Sequence, residues 1–189
     1  MTDQEIIEEI LIKGKYNSFG LLVDRYQHMA YTIAFKLVQD SDCAKDITQD
    51  AFLKAFEQLS TFKGQSKFSS WLYTIVYRQG LNELRKSKDK NFTMEVKHEN
   101  LLTVENKDLP LEQLSKKERS KYITLAIDQL SEIDQSLISL FYLGEKNLKE
   151  IEEITGLSES NIKVRLHRSR KSLANILENM LNSEAKSII

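Results

Sequence analysis

A single proline, Pro110, and six glycines are the only strong helix breakers in 189 residues. A chain so rarely interrupted is free to run in long helices. Its apolar residues say where. Phe19, Leu22, Val23, Tyr26, Met29, Ala30, Ile33, Ala34 and Leu37 recur at steps of three and four, the stripe of an amphipathic helix. After the polar break QDSDCAKD, a second helix is predicted on Ile47, Ala51, Phe52, Ala55, Phe56 and Leu59. STFKGQSKF, with its glycine and serines, reads as a loop, and a third helix is predicted over about 69–86. No segment alternates apolar and polar residues for long enough to make a strand. The expected fold class is all-α.

Between Lys86 and about Lys107 the helical period fades into polar, mixed-charge sequence. This reads as a flexible linker between two small helical domains; some twenty unstructured residues would span roughly 25 Å. The predicted boundaries are 1–90, a linker over 91–115, and 116–183. Pro110 suits the first turn of a helix that continues through Tyr122, Leu125 and Leu130. Beyond it the punctuation is clear. Ser131 with Asp134 resembles a capping box, and Gly144 is placed to end the helix holding Leu137, Ile138, Phe141 and Tyr142. Asn147 with Glu150 opens a short helix that stops at Gly156, and Ser158 caps the next. Helix, glycine-bearing turn of three residues, helix is the order of a helix-turn-helix.

With 41% hydrophobic and 29% charged residues the chain has enough apolar material for a core. A lone cysteine, Cys43, leaves no internal disulfide, and His28, His98 and His167 are too scattered for a metal cluster. No cofactor is expected. The N-terminal MTDQEIIEEILIKGKY carries acids where a signal peptide begins with cations, and no apolar run reaches bilayer length. A cytoplasmic protein without membrane insertion is expected. No nucleophile–base pair, metal spacing or phosphate-cradling glycine loop points to an enzyme, and Glu8–Glu9 read as solvated charge.

A formal net charge of −1 conceals segregation. Residues 61–90 hold seven bases against two acids, a local +5, and residues 156–175 hold five against one, a local +4. Residues 1–60 and 121–155 each sum to −4. Two basic patches on an acidic body are the pattern of two contact surfaces for a polyanion.

Wheel geometry, at 100° per residue, sharpens this. On the last helix Ile162, Leu166, Ser169, Leu173 and Ile176 share one side. Ser160, Asn161, Lys163, Val164, His167, Arg168 and Lys171 face the other, with Arg165 and Arg170 at the boundary. A merely solvated face would mix glutamates among its lysines. This one fits a DNA major groove. On the third helix Trp71, Thr74, Arg78, Asn82 and Arg85 cluster on one side. Aromatics interleaved with cations suit unpaired bases and their backbone. A competing reading has Phe62 and Phe68 of the loop fold over Trp71 and bury it.

DSDCAKDITQDAFLKAF (Asp40 to Phe56) and FKGQSKFSSWLYTIVYRQGLNELRK (Phe62 to Lys86) resemble region 2 of the extracytoplasmic-function (ECF) sigma factors of bacterial RNA polymerase. LKEIEEITGLSESNIKVRLHRSRKSL (Leu148 to Leu173) resembles their region 4, and the ordered pair across a polar linker is what makes the likeness specific. The resemblance implies a promoter-specificity subunit without an active site. It implies that Asp42, Asp46, Gln49, Asp50 and Phe52 bind the clamp of core RNA polymerase. Lys63, Lys67, Trp71, Thr74, Arg78, Asn82 and Arg85 would meet the melted −10 element. Ser160, Asn161, Lys163, Val164, Arg165, His167, Arg168 and Lys171 would meet duplex promoter DNA at the −35 element. Region 4 would also touch the polymerase flap, and an anti-sigma factor is the implied regulator. Arg78 and Asn82 stand where family members commonly have asparagine and aspartate, which makes this face more positive. The alternative is an autonomous helix-turn-helix regulator, which explains the last helix but not the second basic face.

Overall fold

The structure, a computed structural model, describes the backbone of residues 1–90 and 116–187. The expected linker and the helix start at Pro110 lie outside the described residues. The described residues fold as helices alone, in two lobes. The first lobe comprises α1 (Asp3–Lys13), α2 (Phe19–Val38), α3 (Ser41–Glu57) and α4 (Phe68–Lys90). The second comprises α5 (Lys116–Ile127), α6 (Glu132–Ile138), α7 (Leu148–Thr155) and α8 (Glu159–Ser187).

Helix α1 is one element that the apolar stripes left unassigned. Thr2 and Glu5 form a full capping box, Gly14 closes the helix in the left-handed region at φ 67°, and Ile6, Ile7 and Ile10 are buried. Asp3 accepts from Arg25 and Tyr26 of α2, which ties the helix to the core. Glu9 is not simple solvated charge: it accepts from Lys15 at 2.9 Å and from Ser18 at 3.2 Å, clamping the turn into α2. Glu8 is exposed as expected.

The stripes on α2, α3 and α4 meet in one core, with Leu22, Ile33, Leu37, Leu59, Phe68 and Leu72 fully enclosed. The α2–α4 crossing depends on Gly80. A Cβ there would lie 2.8 Å from Leu37 Cδ1, so only glycine lets the helices approach this closely. Helix α4 runs to Lys90, four residues past its predicted end.

In the second lobe the caps fall where the sequence places them. Ser131 accepts from the Asp134 N–H at 3.3 Å, and Asn147 and Glu150 make a reciprocal box. Gly156 ends α7 at φ 73°. Between α6 and Gly144 the chain widens into a π-helical turn, Ser139–Leu143, which periodicity did not foreshadow.

The lobes pack together. Helix α6 lies on α2 and α7 on α4, and the core cluster continues across the junction. Lys36 pairs with Asp128, Gln39 donates to Gln135 at 2.9 Å, and Lys88 lies 3.2 Å from Glu132. No described helix is long and apolar enough to cross a membrane.

Candidate nucleic-acid interface

Helix α8 is built as the sequence reads. Ile162, Leu166 and Ser169 are buried, whereas Ser160, Asn161, Lys163, Val164, His167, Arg168 and Lys171 are exposed. The Ser158 hydroxyl accepts from the Asn161 N–H at 3.4 Å and orients the first turn. Two cations of the segment are engaged by the protein itself. Arg165 donates to Asp134 Oδ1 at 2.8 Å and to Asn161 Oδ1 at 3.2 Å, so it braces α8 against α6 rather than standing free. Arg170 donates to the Tyr142 hydroxyl at 2.7 Å and sits over the Phe141 and Tyr142 rings. That leaves Lys163, Arg168 and Lys171 pointing outward. Lys163 also lies 3.6 Å from Glu159, an exposed pair that a phosphate would displace at little cost.

Helix α4 and its preceding loop present Lys63, Lys67, Arg78, Asn82 and Arg85 as exposed side chains. Trp71 is half-buried, its ring centre 5.3 Å from Phe62 and 5.7 Å from Phe68. The loop does fold against it and leaves the residue partly exposed. Thr74 is partly covered: its hydroxyl bonds Ser70 O at 2.9 Å and lies 3.4 Å from Glu153 O of α7.

On α3, Asp42, Asp46, Gln49 and Asp50 are exposed, and Asp42 pairs with Lys45 at 2.8 Å. Phe52 behaves differently. It is 7% exposed and packs edge-on to Phe19, as the floor of an apolar groove of about 780 Å³ between α2 and α3. Leu53 and Phe56, on the rim, are 55% and 38% exposed. On α3 these two are the exposed apolar groups of the groove, which the sequence reading did not assign to a contact, and Tyr16 joins them on the rim at 65% exposed. The signal for the α3 pair was the i, i+3 spacing beside an inward Phe52.

Residues 22–90 match the family described as Sigma-70 region 2, and residues 120–173 match Sigma-70, region 4. The chain is 31% identical over 174 residues to the ECF RNA polymerase sigma factor SigW of Bacillus subtilis (strain 168), covering 89% of this chain and 93% of that one. It belongs to the ECF sigma factors of bacterial RNA polymerase. The ECF RNA polymerase sigma-E factor of Escherichia coli (strain K12) is 27% identical over 187 residues, with 96% of this chain and 97% of that protein covered. Among solved structures, the sigma factor RpoE of Bartonella quintana, crystallised with the anti-sigma factor NepR, shares the fold at a TM-score of 0.63 and 21% identity. That likeness covers 85% of this chain and 96% of RpoE. In this sigma factor, then, α3 and α4 lie in the region 2 match, and α7 and the first half of α8, with its basic segment, lie in the region 4 match. Each basic helix sits in a different one.

Proposed function

We propose that this sigma factor contacts a promoter through the outward faces of α4 and α8 and contacts core RNA polymerase through α3. Residues 1–90 form the region 2 domain, 91–115 the linker and 116–183 the region 4 domain. The observation that carries this reading is that two acid-poor cationic helix faces lie on separate lobes of one otherwise acidic chain.

On α8, Lys163, Arg168 and Lys171 meet phosphates while Ser160, Asn161, Val164 and His167 lie at base edges of the −35 element. Arg165 fixes the pose of the helix through Asp134 and Asn161. On α4, Arg78, Asn82 and Arg85 follow the backbone of the melted −10 strand, with Lys63 and Lys67 at the loop. Trp71, partly exposed and tilted against Phe62 and Phe68, offers its ring to an unpaired base. Base–aromatic stacking is worth about 1–3 kcal/mol per base. That offsets a duplex cost of about 1.4 kcal/mol per step, so capture of one or two bases is enough to bias opening. Lys63, Lys67 and Thr74 sit where strand and loop would meet.

Polymerase docking uses the exposed Asp42, Asp46, Gln49 and Asp50 beside the α2–α3 groove, with Leu53 and Phe56 as apolar anchors and Phe52 beneath them. A helical clamp element of complementary charge fits such a groove. The polymerase supplies catalysis, and this subunit supplies position, acting in the cytoplasm. An anti-sigma protein that covered the same groove would silence it.

The test is transcription in vitro from sheared genomic DNA of the source bacterium, with core polymerase alone and with core plus this protein. The reading predicts new transcripts with discrete starts, lost on Leu53→Asp. It fails if the added protein binds duplex DNA tightly by itself and leaves the start sites unchanged.

A further inference from the structure

The π turn after α6 sets two aromatic side chains in a corner that the contacts assigned above do not use. Its bond runs from the Gly144 N–H to Ser139 O at 2.9 Å, closing a turn wider than an α-helical one. Phe141 and Tyr142, inside that turn, stand with ring centres 5.0 Å apart and planes at 78°. The guanidinium carbon of Arg170 lies in the corner, 5.7 Å from the Phe141 centre and 5.9 Å from the Tyr142 centre. Arg170 Nε donates to the Tyr142 hydroxyl at 2.7 Å.

This contact differs in kind from the brace that Arg165 makes. Arg165 meets the Asp134 carboxylate and is partly covered, so its charge is balanced inside the protein. Arg170 meets a neutral hydroxyl, and the bond engages Nε alone. Its two Nη groups, the fork of the guanidinium, bond no described residue, and its charge is left unbalanced. Both members lie at the surface: Arg170 is exposed, and Tyr142 is 51% exposed. A contact between exposed groups adds little to stability. What it fixes is direction. A guanidinium held at Nε and set against two rings presents its fork in one orientation, and that planar fork matches the oxygens of a phosphate. Ordering it in advance removes part of the rotamer cost of binding.

Placement along α8 agrees. At 100° per residue Arg170 falls about 20° from Lys163 and about 10 Å further along the axis. The two therefore share one flank of the helix, the flank that faces one wall of a major groove when the centre of the helix faces the bases. We propose that Arg170 is a further phosphate contact of the recognition helix and that Tyr142 is the residue that positions it. Arg170 joins Lys163, Arg168 and Lys171 in holding the duplex backbone. The proposal rests on the assignment of α8 to duplex promoter DNA and names what grips that duplex beyond the residues predicted from sequence.

Fluorescence polarisation of the full-length chain tests this on a labelled mixed-sequence duplex of about 30 base pairs, titrated from low salt upward, since phosphate contacts carry no sequence requirement. Arg170→Ala should weaken binding about fivefold near 0.1 M salt and lower the salt slope by about one. Its melting temperature should stay where it is. Arg170→Lys keeps the charge without the fork, and Tyr142→Leu removes hydroxyl and ring. Both should weaken binding by roughly two- to threefold with the slope unaltered, the signature of lost positioning. A brace without a DNA role gives the reverse: a lower melting temperature for Arg170→Ala and an unaltered slope. That result overturns the proposal, and so does an unaltered slope at an unaltered melting temperature. Tyr142 variants that bind as the wild type does overturn the positioning role. Circular dichroism checks the helices, and Tyr142→Phe, which keeps the ring and loses the hydroxyl bond, carries the test if Tyr142→Leu unfolds. Arg168→Ala is the reference. A slope lowered there but not in Arg170→Ala refutes only the proposal, whereas a slope lowered in neither refutes the assignment of α8.

Discussion

Two basic helices in one chain keep different company. Helix α8 has two sides, one packed inward through Ile162, Leu166 and Ser169 and one open to solvent. Helix α4 has three. Leu72, Val76 and Gly80 meet α2 and the core, Ser69, Tyr73, Thr74 and Tyr77 meet or adjoin the second lobe, and Arg78, Asn82 and Arg85 remain outside. The difference teaches that a nucleic-acid face can be read from charge only where the helix has nothing else to hold. On α8 the wheel is nearly sufficient. On α4 the same geometry leaves out the neighbour that arrives from a distant part of the chain.

The comparison breaks most sharply at the tightest contact. Gly80→Ala drives a methyl into Leu37 and should cost about 1–3 kcal/mol, seen as a lower urea midpoint. Lys171→Ala on the open side of α8 should cost less than about 0.5 kcal/mol. Equal costs would mean that α4 is no more constrained than α8.

A smaller effect separates two arginines on α8. Arg165→Ala removes the brace to Asp134 and should lower stability by about 1 kcal/mol, the upper end for a partly exposed pair. Arg168→Ala should leave the melting temperature alone and reduce the salt slope of duplex binding by about one. Identical behaviour of the two would erase the distinction between positioning and contact.

Arg78→Ala sharpens the contrast from the other side. Arg78 is exposed on the outer side of α4, so Arg78→Ala should weaken single-strand binding several-fold and leave the melting temperature alone. The smallest effect is one of pH. Burial alone would raise the Glu150 carboxyl, but the Asn147 N–H, Lys67 and Lys146 outweigh it and hold the group below the usual carboxylate range. Unfolding removes all three partners, so the folded state binds fewer protons than the unfolded one. The stability this adds is present above the ordinary carboxylate range and fades as pH falls through the lowered value. Urea midpoints should fall on the acid side, and Glu150→Gln, which keeps the cap, should lose that part of the dependence.

Most of the fold was written in local pattern. The stripes of α2 and α3, the Asn147–Glu150 box and the left-handed Gly156 all rest on neighbours within four residues, and all stand where the sequence puts them. Helix α1 was legible too, in Thr2, Glu5 and the three isoleucines, but its acids drew the reading toward solvated charge. The π turn at Ser139–Leu143 has no local signature; it continues α6 into the junction beside Met29. Phe52, Trp71 and Arg165 share one reason for being only partly legible in the sequence. Each has the residue type of a contact, and each is claimed by a partner far along the chain or across a loop: Phe19, Phe62 and Asp134. Likewise nothing local announced the Lys146–Ser69 bond, which spans 77 positions.

The account stands on two faces gripping one promoter at a separation that polymerase sets. Its most direct test takes a promoter recovered with the holoenzyme and lengthens the interval between its two elements by about five base pairs, half a helical turn. Multi-round transcription should then fall to the level of core polymerase alone, and restoring the interval should restore it. Transcription that continues undiminished across the altered interval would contradict a joint grip by α4 and α8.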